Sequence, residues 1–142
     1  MSMQVCSSPE EIPDGWFLAD CAVSGGTMDA YIRQILQASG GRLCVMLRPV
    51  LMDFCLPCGA GTGDTLTGEQ LRRMRRGQRE YFSPSLCTNY FTCITEESAH
   101  AVLFDDTKSL TEKYALLEQC GVPMVLIEDR SLRESCRERF SR

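Results

Sequence analysis

Residues 99–127 read AHAVLFDDTKSLTEKYALLEQCGVPMVLI. Ala99 to Phe104 is an apolar run of strand length. Asp105 or Asp106 then stands where a helix N-cap belongs, because a short carboxylate can accept a bond from a first-turn amide. Leu110, Tyr114 and Leu117 recur at helical spacing and mark one buried face. Cys120-Gly121 ends the helix, with Gly121 supplying the left-handed C-cap. Pro123 to Ile127 is a second short apolar run, long enough for a strand and too short for a helix. Strand, helix and strand alternate, and this alternation sets the expectation for the whole chain.

The same grammar holds outward from this stretch. Trp16 to Val23 (WFLADCAV) and Leu43 to Leu51 (LCVMLRPVL) read as further buried strands. Between them Thr27 fits an N-cap, Tyr31, Ile32, Ile35 and Leu36 form a helical stripe, and Gly40-Gly41 stops it. Residues 53–66 read as a Gly-rich loop. Thr67 and Gln70 make a capping box for a short helix that ends at Gly77. Tyr90 to Thr95 and Ala99 to Phe104 read as a hairpin turned by Glu96-Glu97-Ser98. Ser131 and Glu134 predict a last capping box and an amphipathic C-terminal helix. The expected fold is α/β: a short, mostly parallel sheet flanked by helices, with an inserted α+β hairpin. Residues 1–14 read as a flexible lead-in, and 15–142 as a single domain with the insertion at about 66–104.

Composition narrows the function. The chain has 142 residues, 44% hydrophobic and 24% charged, which is an ordinary globular balance. Net charge is −4 and the isoelectric point about 5.0, against the basic footprint of a nucleic-acid binder. Of the basic residues thirteen are Arg, and those after Arg130 alternate with Glu134 and Glu138 as on a solvated helix face. No apolar run reaches the ~18 residues of a membrane span. Met1 to Cys6 has neither the basic nor the apolar segment of a secretory leader. Nine cysteines, an odd number at irregular spacing, fit reduced thiols in a cytoplasmic protein better than a disulfide framework.

Several clusters invite chemistry. Cys55-Leu56-Pro57-Cys58 has redox spacing, yet the glycines that follow cannot readily start the helix that lowers a thiol pKa. Structural zinc needs four ligands, and Cys87, Cys93 and His100 lack paired knuckle spacing. The expectation is therefore no cofactor and no metal, with Cys55 and Cys58 the candidates should a metal bind. Gly59, Gly61 and Gly63 lack the Lys-Ser/Thr of a phosphate loop. His100 stands alone among histidines, with Cys87 and Cys93 as conceivable dyad partners. Asp105-Asp106 and Glu128-Asp129 sit at strand ends, and in α/β sheets carboxyl ends face the ligand.

Three stretches resemble the C-terminal part of glycoside hydrolase family 18, in its spore cortex and cell-wall branch. LCVMLRPVLMDFCLP is similar to the family's seventh barrel strand. LTGEQLRRMRRG is similar to the helix opening its small insertion. YFTCITEESAHAVLFDDTKSLTEKYALLEQCGVPMVLIED is similar to its ending, with His100, Phe104, Asp105, Asp106, Ser109, Leu110, Lys113 and Gly121 in register. More weakly, WFLADCAV and TMDAYIRQIL resemble the sixth strand and its helix. The resemblance implies the last three strand–helix units of a barrel plus the insertion. The family's D-x-x-D-x-D-x-E, whose Glu is the general acid, has no counterpart here, and its usual Trp on the eighth strand falls at about Ile127. The implied protein is a non-catalytic module that binds a glycan or a partner protein. Asp20, Asp53, Phe54, Asp105 and Glu128 are the residues expected to bind the ligand, the carboxylates by hydrogen bonds to its hydroxyls. Three parallel strands would leave an uncovered face, so a homo-oligomer or a covering partner is expected. Two other readings stand beside this one: a thiol or metal protein using Cys55 and Cys58, and a purely structural oligomerisation remnant.

Overall fold

The computed structural model describes residues 3–21, 26–56, 63–94 and 98–140. Two sheets organise them. The first is parallel throughout and runs in the order β1 (Gln4–Cys6), β9 (Met124–Leu126), β3 (Leu43–Met46), β2 (Phe17–Asp20). The second is antiparallel, in the order β5 (Asp64–Thr65), β4 (Leu51–Leu56), β8 (Ala99–Phe104), β7 (Thr88–Ile94), β6 (Tyr81–Ser83). Helices α1 (Met28–Ala38), α2 (Gly68–Arg75), α3 (Thr107–Gln119) and α4 (Arg130–Phe140) complete the α/β fold.

Period-two alternation divides the parallel sheet into two faces. Leu43, Val45 and Val125 point to one face, where Met28 and Ile32 of α1, Leu117 of α3 and Leu132 of α4 cover them. Cys6, Cys44, Met124 and Leu126 point to the other and are also buried.

That second face corrects an expectation. It is not left bare, because Ile12 and Trp16 from the segment between β1 and β2 pack onto it. Burying Met124 and Leu126 alone is worth roughly 3–6 kcal/mol, at about 1.5–3 kcal/mol per side chain. A whole domain has a margin of about 5–15 kcal/mol, so an uncovered face would consume much of it. The lead-in thus contains structure: the Gln4 N–H donates to the Pro123 carbonyl (2.9 Å) and the Ile127 N–H to the Cys6 carbonyl (3.0 Å). Val5 reaches the helix-covered face on the way.

The run expected as one strand over 43–51 is two. β3 ends at Met46, residues 47–50 leave the parallel sheet, and Leu51 opens the antiparallel one. Pro49 forces the break, since it has no N–H for a ladder and restricts the residue before it. β4 then occupies part of the stretch expected as loop, and pairs with β8 from Leu51↔Phe104 to Leu56↔Ala99. The expected hairpin is present, with Phe91 opposite Val102. Phe91, Val102 and Phe104 form a second core, roofed by Leu71 and Met74 of α2. The Thr67–Gln70 capping box closes as expected, at 2.9 and 3.1 Å. For α4 the cap is Asp129, which accepts the Leu132 N–H at 2.9 Å, rather than Ser131.

One buried ion pair joins the two sheets. Asp105 and Lys113 are fully enclosed, with Nζ 2.5 Å from Oδ2. The same carboxylate accepts the Val50 N–H (2.8 Å) and the Ser109 hydroxyl (2.7 Å). The Asp105 N–H in turn donates to the Val50 carbonyl at 3.1 Å. The β3–β4 crossing is thereby fixed to the start of α3. Where the chain enters α1, the Met28 N–H donates to the Ser85 carbonyl (2.7 Å), so the loop before β7 rests on that helix start.

Candidate functional site

The carboxyl ends of the parallel strands form a polar rim. Asp20 ends β2, and its carboxylate takes a salt bridge from Arg48, with Nε at 3.0 Å. The Asp20 contact raises the Arg48 pKa beyond its usual range, while partial burial opposes it. The Tyr31 hydroxyl donates to the Asp20 carbonyl (3.2 Å) and steadies the strand end from α1. Glu128 stands two residues past the end of β9 and is exposed. Between the carboxyl ends of β3 and β9 lies a cavity of about 260 Å³, walled by Leu47, Arg48, Thr107, Leu110 and Glu128. Small-molecule pockets begin near ~300 Å³, so this cleft suits one ring rather than a long segment.

A second cavity of about 320 Å³ opens beyond β1, between Ser7, Glu11, Arg130, Arg133 and Arg137. The backbone N–H groups of Ser7 and Ser8 hold the Glu11 carboxyl below its ordinary range. Arg133 is committed to the Ile127 and Glu128 carbonyls, at 2.7 and 2.8 Å. The first turn of α4 separates the two cavities.

The residues expected to bind ligand are distributed unevenly. Asp20 and Glu128 lie on the rim. Asp105 does not fit that expectation: its side chain is fully buried and already holds Lys113, Ser109 and Val50. Its neighbour Asp106 is the α3 cap, accepting the Ser109 N–H at 2.8 Å. Burial pushes the Asp106 carboxyl up, but donors led by that N–H outweigh it and hold it low. Phe54 is half-buried on the face of β4 opposite Asp53, and its ring covers Gly63, where a Cβ would come within 2.6 Å of it.

Asp53 lies in the second sheet with His100, whose Nδ1 is 3.0 and 3.1 Å from its two carboxylate oxygens. The Nε2 of His100 is 2.8 Å from the Ser98 hydroxyl. The dyad considered between His100 and Cys93 or Cys87 is thus displaced. Cys93 stands beside the imidazole on the neighbouring strand, and Cys87 is buried at the head of β7. Cys55 is exposed, whereas Cys58 lies outside the described residues, as do Gly59 and Gly61. Among the described residues no three His, Cys, Asp or Glu groups are placed to hold a metal.

Arg48 and Ser98 were not singled out from sequence. Arg48 precedes Pro49 at a strand end, a place that favours rim residues. Ser98 and His100 share a face by simple alternation, but Asp53 joins them only through the β4–β8 register.

No protein-family model and no curated protein matches the chain. Solved structures do. The spore cortex-lytic enzyme SleL of Bacillus cereus is similar at TM-score 0.56 and 15% identity, over 75% of this chain and 29% of that one. SleL of Bacillus megaterium QM B1551 gives 0.56 and 14%, over 80% and 30%. A chitinase from Chromobacterium violaceum ATCC 12472 gives 0.59 and 13%, over 99% and 46%. The chain therefore spans less than half the length of the structures it matches. At such identities the likeness is one of fold alone: the α/β arrangement of this chain is similar to part of those barrel-like structures. In this chain β9 lies between β3 and β1.

Proposed function

We propose that this chain is a family 18-like module, non-catalytic toward glycosidic bonds, that binds a glycan at the carboxyl-end rim. The observation that carries the reading is the cleft between β3 and β9, where Arg48 and Glu128 offer a donor and an acceptor beside the apolar Leu47 and Leu110. A sugar ring asks for that mixture: hydroxyls for the polar groups and a carbon face for the apolar ones. Cleavage of the glycosidic bond is not part of the reading, because the D-x-x-D-x-D-x-E carrying the family's general acid is missing. The cysteines among the described residues are free, which suits a reducing, cytoplasmic setting. Among the described residues no helix is long and apolar enough to cross a membrane.

Calorimetric titration of the reduced protein with N-acetylglucosamine oligomers and soluble peptidoglycan fragments tests this. Saturable heat is expected at Kd between about 1 μM and 1 mM, or roughly −8 to −4 kcal/mol. Glu128→Ala should weaken it about tenfold or more, the scale of a lost charged hydrogen bond. Absence of heat, or hydrolysis of the oligomers, overturns the reading.

Self-association through the open edge of β2 is a second reading. Phe17 and Leu18 on that edge are 55% and 47% exposed. An edge carrying unpaired backbone groups and apolar side chains is a template for another strand.

A further inference from the structure

Away from the rim, three side chains on the antiparallel sheet form a hydrogen-bonded line that the glycan reading leaves unused. Ser98 stands just before β8, His100 within it, and Asp53 on the adjacent β4. The Ser98 hydroxyl is 2.8 Å from Nε2 of His100, and Nδ1 is 3.0 and 3.1 Å from the carboxylate of Asp53. His100 and Asp53 are 17% and 15% exposed, shielded enough to hold their geometry yet open to a reactant. Paired strands set the positions of His100 and Asp53: Cys55 and Cys93 are the cross-strand partners of His100, and Asp53 is one alternate position along from Cys55.

We propose that Ser98, His100 and Asp53 form a nucleophilic relay that cleaves carboxylic esters. Each partner has the role its neighbours allow. A carboxylate accepts, so the relay uses the tautomer with the proton on Nδ1, in which Nε2 presents its lone pair to the Ser98 hydroxyl. As Oγ bonds to the ester carbonyl carbon, its proton passes to Nε2. The C–O bond to the alcohol then breaks, and the alcohol leaves with that proton. A water molecule, deprotonated by the same nitrogen, attacks the acyl-serine. It releases the carboxylic acid and returns the proton to Oγ. No oxidant, metal or further co-reactant enters the balance. The proposal is independent of glycan binding at the rim.

The experiment is active-site labelling of the full chain with a fluorophosphonate probe, read by intact mass and peptide mapping, beside hydrolysis of p-nitrophenyl acetate. One adduct per chain on Ser98 is expected, with ester turnover above buffer. Ser98→Ala should abolish both signals while its circular dichroism stays that of the parent. His100→Gln should slow labelling by about 10²-fold or more, the scale of losing a general base. Asp53→Asn, which keeps a hydrogen bond but permits the wrong tautomer, should slow it by up to about 10⁴-fold. Absence of an adduct, an adduct on another residue, or an unchanged labelling rate in folded His100→Gln overturns the proposal.

Discussion

Lys113 holds the carboxylate that ties the β3–β4 crossing to the start of α3. Its ammonium and the Asp105 carboxylate are both removed from water, and each is tolerable only because of the other. Lys113→Met should therefore cost about 3–5 kcal/mol, the penalty for stranding a buried charge. Asp105→Asn combined with Lys113→Met should recover most of it, since the amide oxygen can still accept the Val50 N–H. Urea midpoints of the three proteins measure this, and a single-variant loss below about 1 kcal/mol would contradict it. The Asp106 cap was legible in sequence because capping is local: the acceptor and its amide lie three residues apart. The Asp105 pairing was not. Its partners are Val50, 55 residues away, and a Lys two turns along a helix whose orientation the sequence did not supply. A strand-end carboxylate looks the same in sequence whether it faces a ligand or a buried ammonium.

Among the elements, those with a full apolar period were readable, and those held only by a distant partner were not. The stripes of α1 and α3 and the alternation of β7 and β8 carry their own signal. β1 is three residues long and has no pattern to read; it is a strand because β9 offers it a parallel edge. The split of β3 from β4 could have been inferred from Pro49, but the switch from one sheet to another could not. β2 occupies the opposite edge, with Leu18 on the same face as Cys44 by register. If that edge joins a second copy, sedimentation equilibrium at tens of micromolar should show a dimer. Leu18→Lys should shift the mass to that of a monomer, because edge lysines oppose strand pairing. A monomeric parent across that range removes the second reading.

At the scale of the whole molecule, the buried thiols tie stability to alkaline pH. Burial pushes Cys21 up to about 11, and it pushes Cys44, with Cys6 beside it, up to about 12. The unfolded chain releases those protons near 9.0. Between these values the native state binds more protons, so stability is whole below pH 9 and falls as pH rises toward 11–12. Urea midpoints at pH 7.5, 9 and 10.5 should decline in that order, and Cys44→Ala should flatten the slope. A second property of the whole follows from the place of β1. Gln4 pairs with Met124, whereas β2 and β3 pair over some 26 residues, Phe17 with Leu43. Closing so long a loop is entropically the most demanding step, although the cost grows only logarithmically with length. Assembly should then be ordered in time: the hairpin and the β2–β3 pair zip early, while Gln4–Cys6 joins last and brings Ile12 and Trp16 down over the sheet. Until that moment Met124 and Leu126 face water, and the nascent chain has a sticky interval that a chaperone would recognise.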